Sequence, residues 1–250
     1  KGSKIFSRSC WYRITSLGHL ADYKYPADGV KLVFAQYFGE ACLKDVLSDV
    51  LLTAYEIEFR CPFFFRSSRA RKIPGYDYPL QDVALATSAA PTYFAPAKIY
   101  IDGGPEYYAL IDGGVFANNP AMCAYVEASS SHPGEDILLV SLGTGEQKIP
   151  LSYEEVGKWG LAGWARPLLN VVFDGVSDTV DYQLCSLLPP TDLGILRYYR
   201  LQAEMNKECK LDDARAENIR LLKRRAQKLI QDNSRILDMM CSQLLTQITS

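Results

Sequence analysis

A chain of 250 residues with 48% hydrophobic side chains can bury one large core, and it fits a single α/β domain better than two small ones. Its 27 basic and 29 acidic residues give a net charge of −2, so no broad cationic surface is available and nucleic-acid binding is not expected. The seven cysteines are scattered, without a CxxC pair or Cys/His ligand spacing, which argues against a disulfide framework or zinc site and indicates reduced thiols in the cytosol.

The first predicted elements are a helix and a pair of strands. Residues 26–29 (PADG) mark the start of the helix, with Asp28 as its N-cap, and Gly39 ends it. Residues 50–55 (VLLTAY) are continuously apolar and rich in strand formers, which is typical of a strand covered on both faces. Residues 61–65 are predicted to return as its antiparallel partner.

A helix of small residues and a hairpin follow. Residues 80–90 (LQDVALATSAA) are predicted to form the helix, and Pro91 stops it. Residues 98–101 and 107–111 are short strands, and the turn residues DGGP between them indicate a hairpin. Small side chains would let the helix approach the sheet closely.

The last third of the chain is mostly helical. Residues 136–142 (DILLVSL) are predicted to form a second apolar strand that ends in a Gly-Thr-Gly turn, and open α/β sheets bind ligands beyond such strand ends. The pattern is helical over 152–188, resembles an edge strand over 195–201, and predicts one long helix from 212 to about 245. No run of about 18 apolar residues predicts a membrane span.

The tetrapeptide IDGG occurs twice, at residues 101–104 and 111–114. The first copy is followed by Pro105 and a resumed strand pattern, so Asp102 is predicted to turn a hairpin. The second copy is followed by a loop and a helical pattern, with Asn119 as N-cap and Pro120 at the first helical position.

Asp112, in the second copy, is therefore predicted to stand at the end of a strand. Gly113 and Gly114 after it permit unusual backbone angles and leave space beside the carboxylate. An α/β enzyme keeps catalytic groups at such places, but an Asp there can equally serve only to cap the turn through its own side chain. Position alone leaves both roles open.

Three segments strongly resemble the patatin-like phospholipase family, especially its bacterial members. They are ATSAAPTYFAPAKI (86–99), YALIDGGVFANNPA (108–121) and ILLVSLGTGE (137–146), and the likeness covers nearly the whole chain. The resemblance implies a three-layer α/β/α sandwich with a mostly parallel central sheet, and a Ser–Asp dyad whose Asp lies in the DGG motif. By that match, Asp112 is the catalytic carboxylate, and Gly113 and Gly114 form the active-site turn.

The serine of that dyad is not identified in this chain. The family's serine lies in a GxSxG elbow, its oxyanion hole comes from an earlier glycine-rich loop, and neither motif occurs in the 250 residues. Ser88, Ser141 and Ser177 are incomplete substitutes, and a structural role is favoured for each. Residues 1–250 are therefore expected to be the C-terminal portion of the hydrolase domain. The alternative is a complete but inactive relative that binds a lipid or a protein partner.

The resemblance implies hydrolysis of phospholipid or other acyl esters, without a cofactor. No clustered carboxylates suggest a calcium site either. Residues 159–173 (WGLAGWARPLLNVVF) are apolar enough to dock on a lipid surface, although core packing is the favoured interpretation. A cytoplasmic protein with peripheral membrane contact is expected, and its oligomeric state is left open.

Overall fold

The computed structural model describes residues 2–6, 23–101, 103–165, 167–205 and 212–248. The strands are β1 (Leu51–Glu56), β2 (Cys61–Arg66), β3 (Ala97–Tyr100), β4 (Tyr107–Asp112), β5 (Leu139–Leu142) and β6 (Tyr198–Leu201). The helices are α1 (Gly2–Ile5), α2 (Asp28–Phe38), α3 (Ser67–Ala70), α4 (Leu80–Thr87), α5 (Ala121–Ser131), α6 (Tyr153–Val156), α7 (Leu161–Trp164), α8 (Pro167–Leu187), α9 (Ala216–Asp232) and α10 (Ser234–Ile248). Short 3-10 turns lie at Leu43–Asp45 and Gly113–Val115.

The larger sheet has four strands in the order β2-β1-β4-β3, and each neighbouring pair is antiparallel. Residues 57–60 connect β1 to β2, and residues 101–106 connect β3 to β4. Connections this short join antiparallel neighbours, because a parallel crossover takes about a dozen residues or more. Both predicted strand pairs are confirmed, whereas Asp102, predicted to turn the second one, lies outside the described residues.

Among the strands of the described residues, only β5 and β6 pair in parallel, with Leu139 opposite Tyr198; an isolated parallel bridge joins Glu146 and Glu204 beyond them. Helices α6, α7 and α8 lie between these strands in the chain, which leaves ample length for a parallel crossover. The chain is therefore α/β. The expected mostly parallel central sheet is not confirmed, because hairpins build the larger sheet. β5 is also shorter than the strand predicted over 136–142.

The main core lies between the larger sheet and α4. Val83 and Ala86 of α4 are fully buried against this sheet. The buried strand residues of the same cluster are Ala54, Phe65, Ala97, Ile99 and Leu110. The predicted helix of small residues is thus confirmed as α4, although it ends at Thr87. Its small side chains allow the close packing that places the ends of β1 and β4 beside it.

Helix α2 confirms the first predicted helix, with one correction at its start. Asp28 is the first helical residue, while Ala27 occupies the N-cap position without a side-chain hydrogen bond. Gly39 ends the helix with a φ of +50°, a conformation that residues with side chains adopt less readily.

Two helices, α9 and α10, replace the single long helix predicted near the C-terminus. The break lies at Asn233, whose backbone has φ −111° and ψ 18°. Its Nδ2 donates a hydrogen bond of 2.9 Å to the backbone oxygen of Leu229, and such local bonds let Asn compete with a continuous helix. The two helices can therefore both follow the small sheet, and Leu229 and Met240 join the apolar cluster around Leu201.

Candidate functional site

Asp112 is the last residue of β4, as predicted, and its backbone is held on two sides. Its Cα lies opposite that of Ala54 in β1. Its N–H donates a hydrogen bond of 3.0 Å to the backbone oxygen of Ala89, just beyond α4. The end of the sheet and the segment after α4 therefore fix where this half-buried side chain starts.

The carboxylate of Asp112 caps the 3-10 turn that follows it. Its Oδ1 accepts a hydrogen bond of 2.8 Å from the N–H of Gly114. The capping role that the sequence left open is thus present. Within the part of the chain that the structure describes, no other group donates to this carboxylate, so Oδ2 keeps its lone pairs available.

The two glycines after Asp112 are required to different degrees. A Cβ on Gly113 would lie 2.3 Å from Oγ1 and 2.5 Å from the backbone carbon of Thr53 in β1, whereas a Cβ on Gly114 would lie 3.2 Å from Oδ1 of Asp112. Neither glycine has a positive φ, so the unusual backbone angles that glycine permits are not what these two positions require. Glycine is required at position 113 because the turn lies close to β1, where Thr53 occupies the space that a side chain would need.

Burial raises the pKa of the Asp112 carboxyl above its ordinary value, and the hydrogen bond from Gly114 offsets part of that rise. When ionised, a carboxylate with a raised pKa takes up a proton more readily than a solvated one. Asp112 therefore combines one oriented oxygen, one available oxygen and increased basicity, which suits a general base.

The middle of the loop after Asp112 packs on the larger sheet. The ring of Phe116 lies 5.8 Å from that of Phe64 in an edge-to-face arrangement, and 6.2 Å from that of Tyr55. Aromatic pairs of this kind contribute about 0.5–1.5 kcal/mol beyond the burial of their surface. Strands β1 and β2 thus hold the loop between Asp112 and α5.

Asn119 ends this loop and is only 2% exposed. Its Oδ1 accepts hydrogen bonds of 3.2 Å from the N–H of Ala121 and from the hydroxyl of Ser141 in β5. The N-cap position is Pro120 and α5 begins at Ala121, so the predicted helix start is wrong by one residue. Asn119 nevertheless satisfies one of the backbone N–H groups that a helix start leaves without a partner.

A polar cluster at β6 lies next to Asn119 and was not predicted. Nη1 of Arg200 donates a hydrogen bond of 2.8 Å to Oγ of Ser141, and the hydroxyl of Tyr198 donates one of 2.7 Å to Asp181. Burial, followed by that bond to Asp181, raises the pKa of Tyr198 well above its ordinary value. Ser141 and Arg200 are 59 positions apart, and no local pattern joins residues so distant in sequence.

A family model described as "Patatin-like phospholipase" matches residues 4–125, a stretch that includes the larger sheet, Asp112 and the turn after it. The resemblance to the patatin-like phospholipase family is confirmed.

Several plant patatin-like proteins are similar to this chain. Patatin-like protein 4 of Arabidopsis thaliana is 30% identical over 254 residues, which cover 92% of this chain and 63% of the relative. Patatin-like protein 6 of the same plant is 31% identical over 211 residues, 79% of this chain and 42% of the relative. A Solanum tuberosum protein named "Probable inactive patatin-3-Kuras 1" is 29% identical over 250 residues, 92% of this chain and 65% of the relative. The chain thus spans less than two thirds of each, and the special likeness to bacterial members stays a prediction.

None of the three serines considered from the sequence lies in a patatin-like elbow, which is a sharp turn between a strand and a helix. Ser88 follows the last residue of α4, Ser141 is 5% exposed within β5, and Ser177 lies inside α8. The hydroxyl of Ser141 is also engaged by Asn119 and Arg200. These positions agree with a structural role for each serine.

Residues 159–173 were predicted to pack in the core. This prediction is wrong for several of their side chains. Those exposed in α7 and at the start of α8 form the α7–α8 apolar strip: Leu161, Leu168, Leu169, Val171 and Val172. Trp159 and Trp164, next to it in the chain, are half-buried and lie edge to face with ring centroids 5.6 Å apart. Amphipathic surfaces with Trp and aliphatic side chains suit a lipid interface.

Two kinds of feature are missing from the described ranges. No helix in them is long and apolar enough to cross a membrane. No group of three or more His, Cys, Asp and Glu side chains in these same ranges is arranged to hold a metal ion.

Proposed function

We propose that residues 1–250 are the C-terminal portion of a patatin-like acyl hydrolase domain and that Asp112 is the base of its Ser–Asp dyad. The serine and the oxyanion loop would come from protein outside these residues. One observation carries the proposal: a half-buried carboxylate with a raised pKa stands at the end of β4, with one oxygen held by Gly114. Gly113 and Gly114 then form the active-site turn.

The proposed reaction uses Asp112 twice. The serine hydroxyl attacks the ester carbonyl while Oδ2 of Asp112 takes its proton, and the tetrahedral intermediate collapses to an acyl-enzyme as the alcohol leaves with that proton. Water then attacks the acyl-enzyme, Asp112 accepts its proton and returns it to the serine, and the fatty acid is released. Because Gly114 holds Oδ1, the carboxylate needs no reorientation between the two steps.

The proposed substrate is a phospholipid or another acyl ester, and no cofactor takes part. The protein would work in the cytoplasm and meet its substrate by peripheral contact with a membrane. The α7–α8 apolar strip supports this contact, because it exposes aliphatic side chains beside two Trp residues.

The direct experiment is ester hydrolysis by the full-length protein with Asp112→Asn. Asn keeps an acceptor for Gly114 but cannot take up a proton, so turnover should fall by about 10²- to 10⁴-fold. Asp82→Asn is the matched control, because Asp82 of α4 is also a half-buried carboxylate whose pKa burial raises. It should leave turnover within about twofold. Retained turnover in Asp112→Asn would remove Asp112 from the chemistry.

A non-enzymatic binding module is the second candidate, favoured by the absence of GxSxG from the 250 residues and by the "Probable inactive" name of the potato relative. Labelling the protein from its natural source with a fluorophosphonate separates the two functions. A labelled serine outside residues 1–250 supports the hydrolase, and no labelled serine supports the binding module. A labelled serine within 1–250 would contradict the proposed origin of the nucleophile.

A further inference from the structure

We infer that Asn119 is a positioning residue for Asp112: its buried amide ties the loop that begins at Asp112 to β5 and α8, and so sets the depth of the carboxylate. The inference rests on the proposed function, because it concerns how the proposed base is held. Asn119 itself would touch neither substrate nor the reacting atoms.

The amide of Asn119 contacts three different elements. Its Oδ1 accepts hydrogen bonds of 3.2 Å from Ala121 at the start of α5 and from Ser141 of β5. Its Nδ2 lies 3.5 Å from the backbone oxygen of Ser177 in α8, to which it donates. With 2% exposure, this amide cannot exchange these partners for water at low cost.

The direction of the neighbouring bonds fixes the orientation of the amide. Nη1 of Arg200 donates to Oγ of Ser141 at 2.8 Å, so the hydroxyl proton of Ser141 is left for another acceptor: Oδ1 of Asn119 lies 3.2 Å away, and Tyr198 also interacts with this hydroxyl. The N–H of Ala121 also requires an acceptor, so Oδ1 must face both donors and Nδ2 must face α8. Arg200, Ser141 and Asn119 form one directed chain.

The hydrogen bonds that join Arg200, Ser141 and Asn119 form the second of two attachments of the loop. The first holds its beginning on the larger sheet, where Gly113 contacts Thr53 and Phe116 packs on Phe64. The second, at Asn119, holds its end on the small parallel sheet. Asp112 therefore lies at the start of a loop clamped between the two sheets, and release of either clamp would let water reach its carboxylate.

Better hydration of Asp112 would shift its pKa in a direction that can be measured. Burial is the main cause of its raised pKa, so a loosened loop lowers that pKa. Hydrolysis needs the ionised base, and the acid limb of the rate profile would move to lower pH. A helix cap with a purely structural role would change stability without moving this limb.

The test compares variants of the full-length protein on p-nitrophenyl butyrate, a soluble ester. Asn119→Ser retains a hydroxyl to accept from Ala121 but is too short to reach β5 and α8, while Ser141→Ala cuts the same link from the other side. For both, kcat should fall about ten- to a hundredfold with KM changed less than about twofold, since misplacement of a catalytic group costs rates of this size. The acid limb should move to lower pH, and amide exchange over residues 112–121 should accelerate.

Two further variants serve as controls. Asn119→Asp keeps the acceptor for Ser141 and Ala121 but replaces the donor to Ser177 with an oxygen, so its kcat should stay low, as in Asn119→Ser. Asn118→Ala removes the exposed neighbour, whose contact is a 3.4 Å bond to the backbone oxygen of Phe173, and should match wild type.

The outcomes separate this inference from the proposed function. If the wild type does not hydrolyse esters, or Asp112→Asn still does, the proposed function fails and the inference fails with it. If Asp112→Asn is inactive while Asn119→Ser and Ser141→Ala keep wild-type kcat and pH limb, only the inference fails. A kcat loss with lower thermal stability but an unmoved pH limb also overturns it, because that is the signature of a structural cap.

Discussion

Asp112 can serve as both a cap and a base because a carboxylate has two oxygens. Oδ1 is bound to the N–H of Gly114, and this bond fixes the plane of the group. Oδ2 accepts no hydrogen bond from the described residues and is the oxygen to which the proposal assigns the proton of the serine. The two roles that position alone left open are therefore compatible, since the cap supplies the orientation that proton transfer needs.

Asp112→Asn should stabilise the protein near pH 7. Burial raises the pKa of Asp112 in the folded state, so ionisation costs stability as the pH rises from the unfolded pKa through the folded one. Asn carries no charge and still accepts from Gly114. The unfolding midpoint should thus rise at pH 7 and change little at about pH 3, where Asp112 is protonated in both states.

Urea unfolding of the full-length protein at the two pH values measures this difference. Asp112→Ala is the control, because it removes the charge together with the acceptor for Gly114 and should gain less or lose stability. A lower midpoint for Asp112→Asn than for wild type at pH 7 would contradict the prediction. Stability gained with turnover lost is the trade-off expected of a functional group.

The sequence predicted the position of Asp112 but not the reasons for its surroundings. The order strand, DGG, loop and helix is local, so it can be recognised from neighbouring residues. The need for glycine at 113 comes from Thr53 on another strand. The clamp at Asn119 depends on Ser141, 22 positions away. Contacts between distant segments leave no local pattern, which is why these residues were missed or assigned a simpler role.

At the scale of elements, the two hairpins and the helix that Gly39 ends were predictable, whereas pairing between distant strands and the break within a helix were not. The alternating and apolar runs located β1 to β4 correctly, because strand periodicity and turn residues are local signals. The break at Asn233 was missed because apolar spacing continues across it and the side-chain bond to Leu229 is a competing local option. The pairing of β5 with β6 joins segments that three helices separate.

Glu56 illustrates an element held by a contact that the sequence did not reveal. It lies at the end of β1, is 1% exposed, and accepts hydrogen bonds from the N–H of Phe59 in the turn and, at 3.1 Å, of Ala109 in β4. The sequence assigned no role to Glu56, because the predicted strand covered only residues 50–55. Its carboxylate instead joins β1, its turn and β4, the strand that carries Asp112.

Glu56→Ala should therefore destabilise the larger sheet by about 2 kcal/mol or more, because it leaves backbone N–H groups without an acceptor. Glu58→Ala is the matched control: Glu58 is exposed and its contact is a 3.3 Å bond from the hydroxyl of Tyr107. It should change the free energy of unfolding by less than about 0.5 kcal/mol. Equal effects of the two substitutions in urea unfolding would show that Glu56 does not hold the strands together.

At the scale of the whole molecule, the largest departure from expectation is the separation of the strands into two sheets. The resemblance implied one mostly parallel central sheet, but the described strands form an antiparallel sheet and a parallel pair. The loop from Asp112 to Asn119 links them, with one end on β1 and the other hydrogen-bonded to β5. The candidate site therefore lies where the two sheets are tied together.

The α7–α8 apolar strip exposes several aliphatic side chains on one surface, and exposed apolar patches of this kind mark places that another molecule or segment covers. If a lipid surface covers them, Leu161→Ser with Leu168→Ser should weaken binding of the full-length protein to phospholipid vesicles. Burying one Leu is worth roughly 1.5–3 kcal/mol, so the loss should be about tenfold or more. Leu47→Ser with Phe59→Ser is the matched control, since both side chains are exposed outside the strip.

Vesicle sedimentation and urea unfolding, measured on the same two double variants, distinguish a lipid from a protein occupant. A lipid occupant predicts weaker sedimentation for the strip variant, with an unfolding midpoint close to that of wild type. If another segment of the protein covers the strip, the midpoint falls and sedimentation stays unchanged, because the lost burial is then internal to the fold. That second result would remove the strip as support for membrane contact while leaving the proposed role of Asp112 intact.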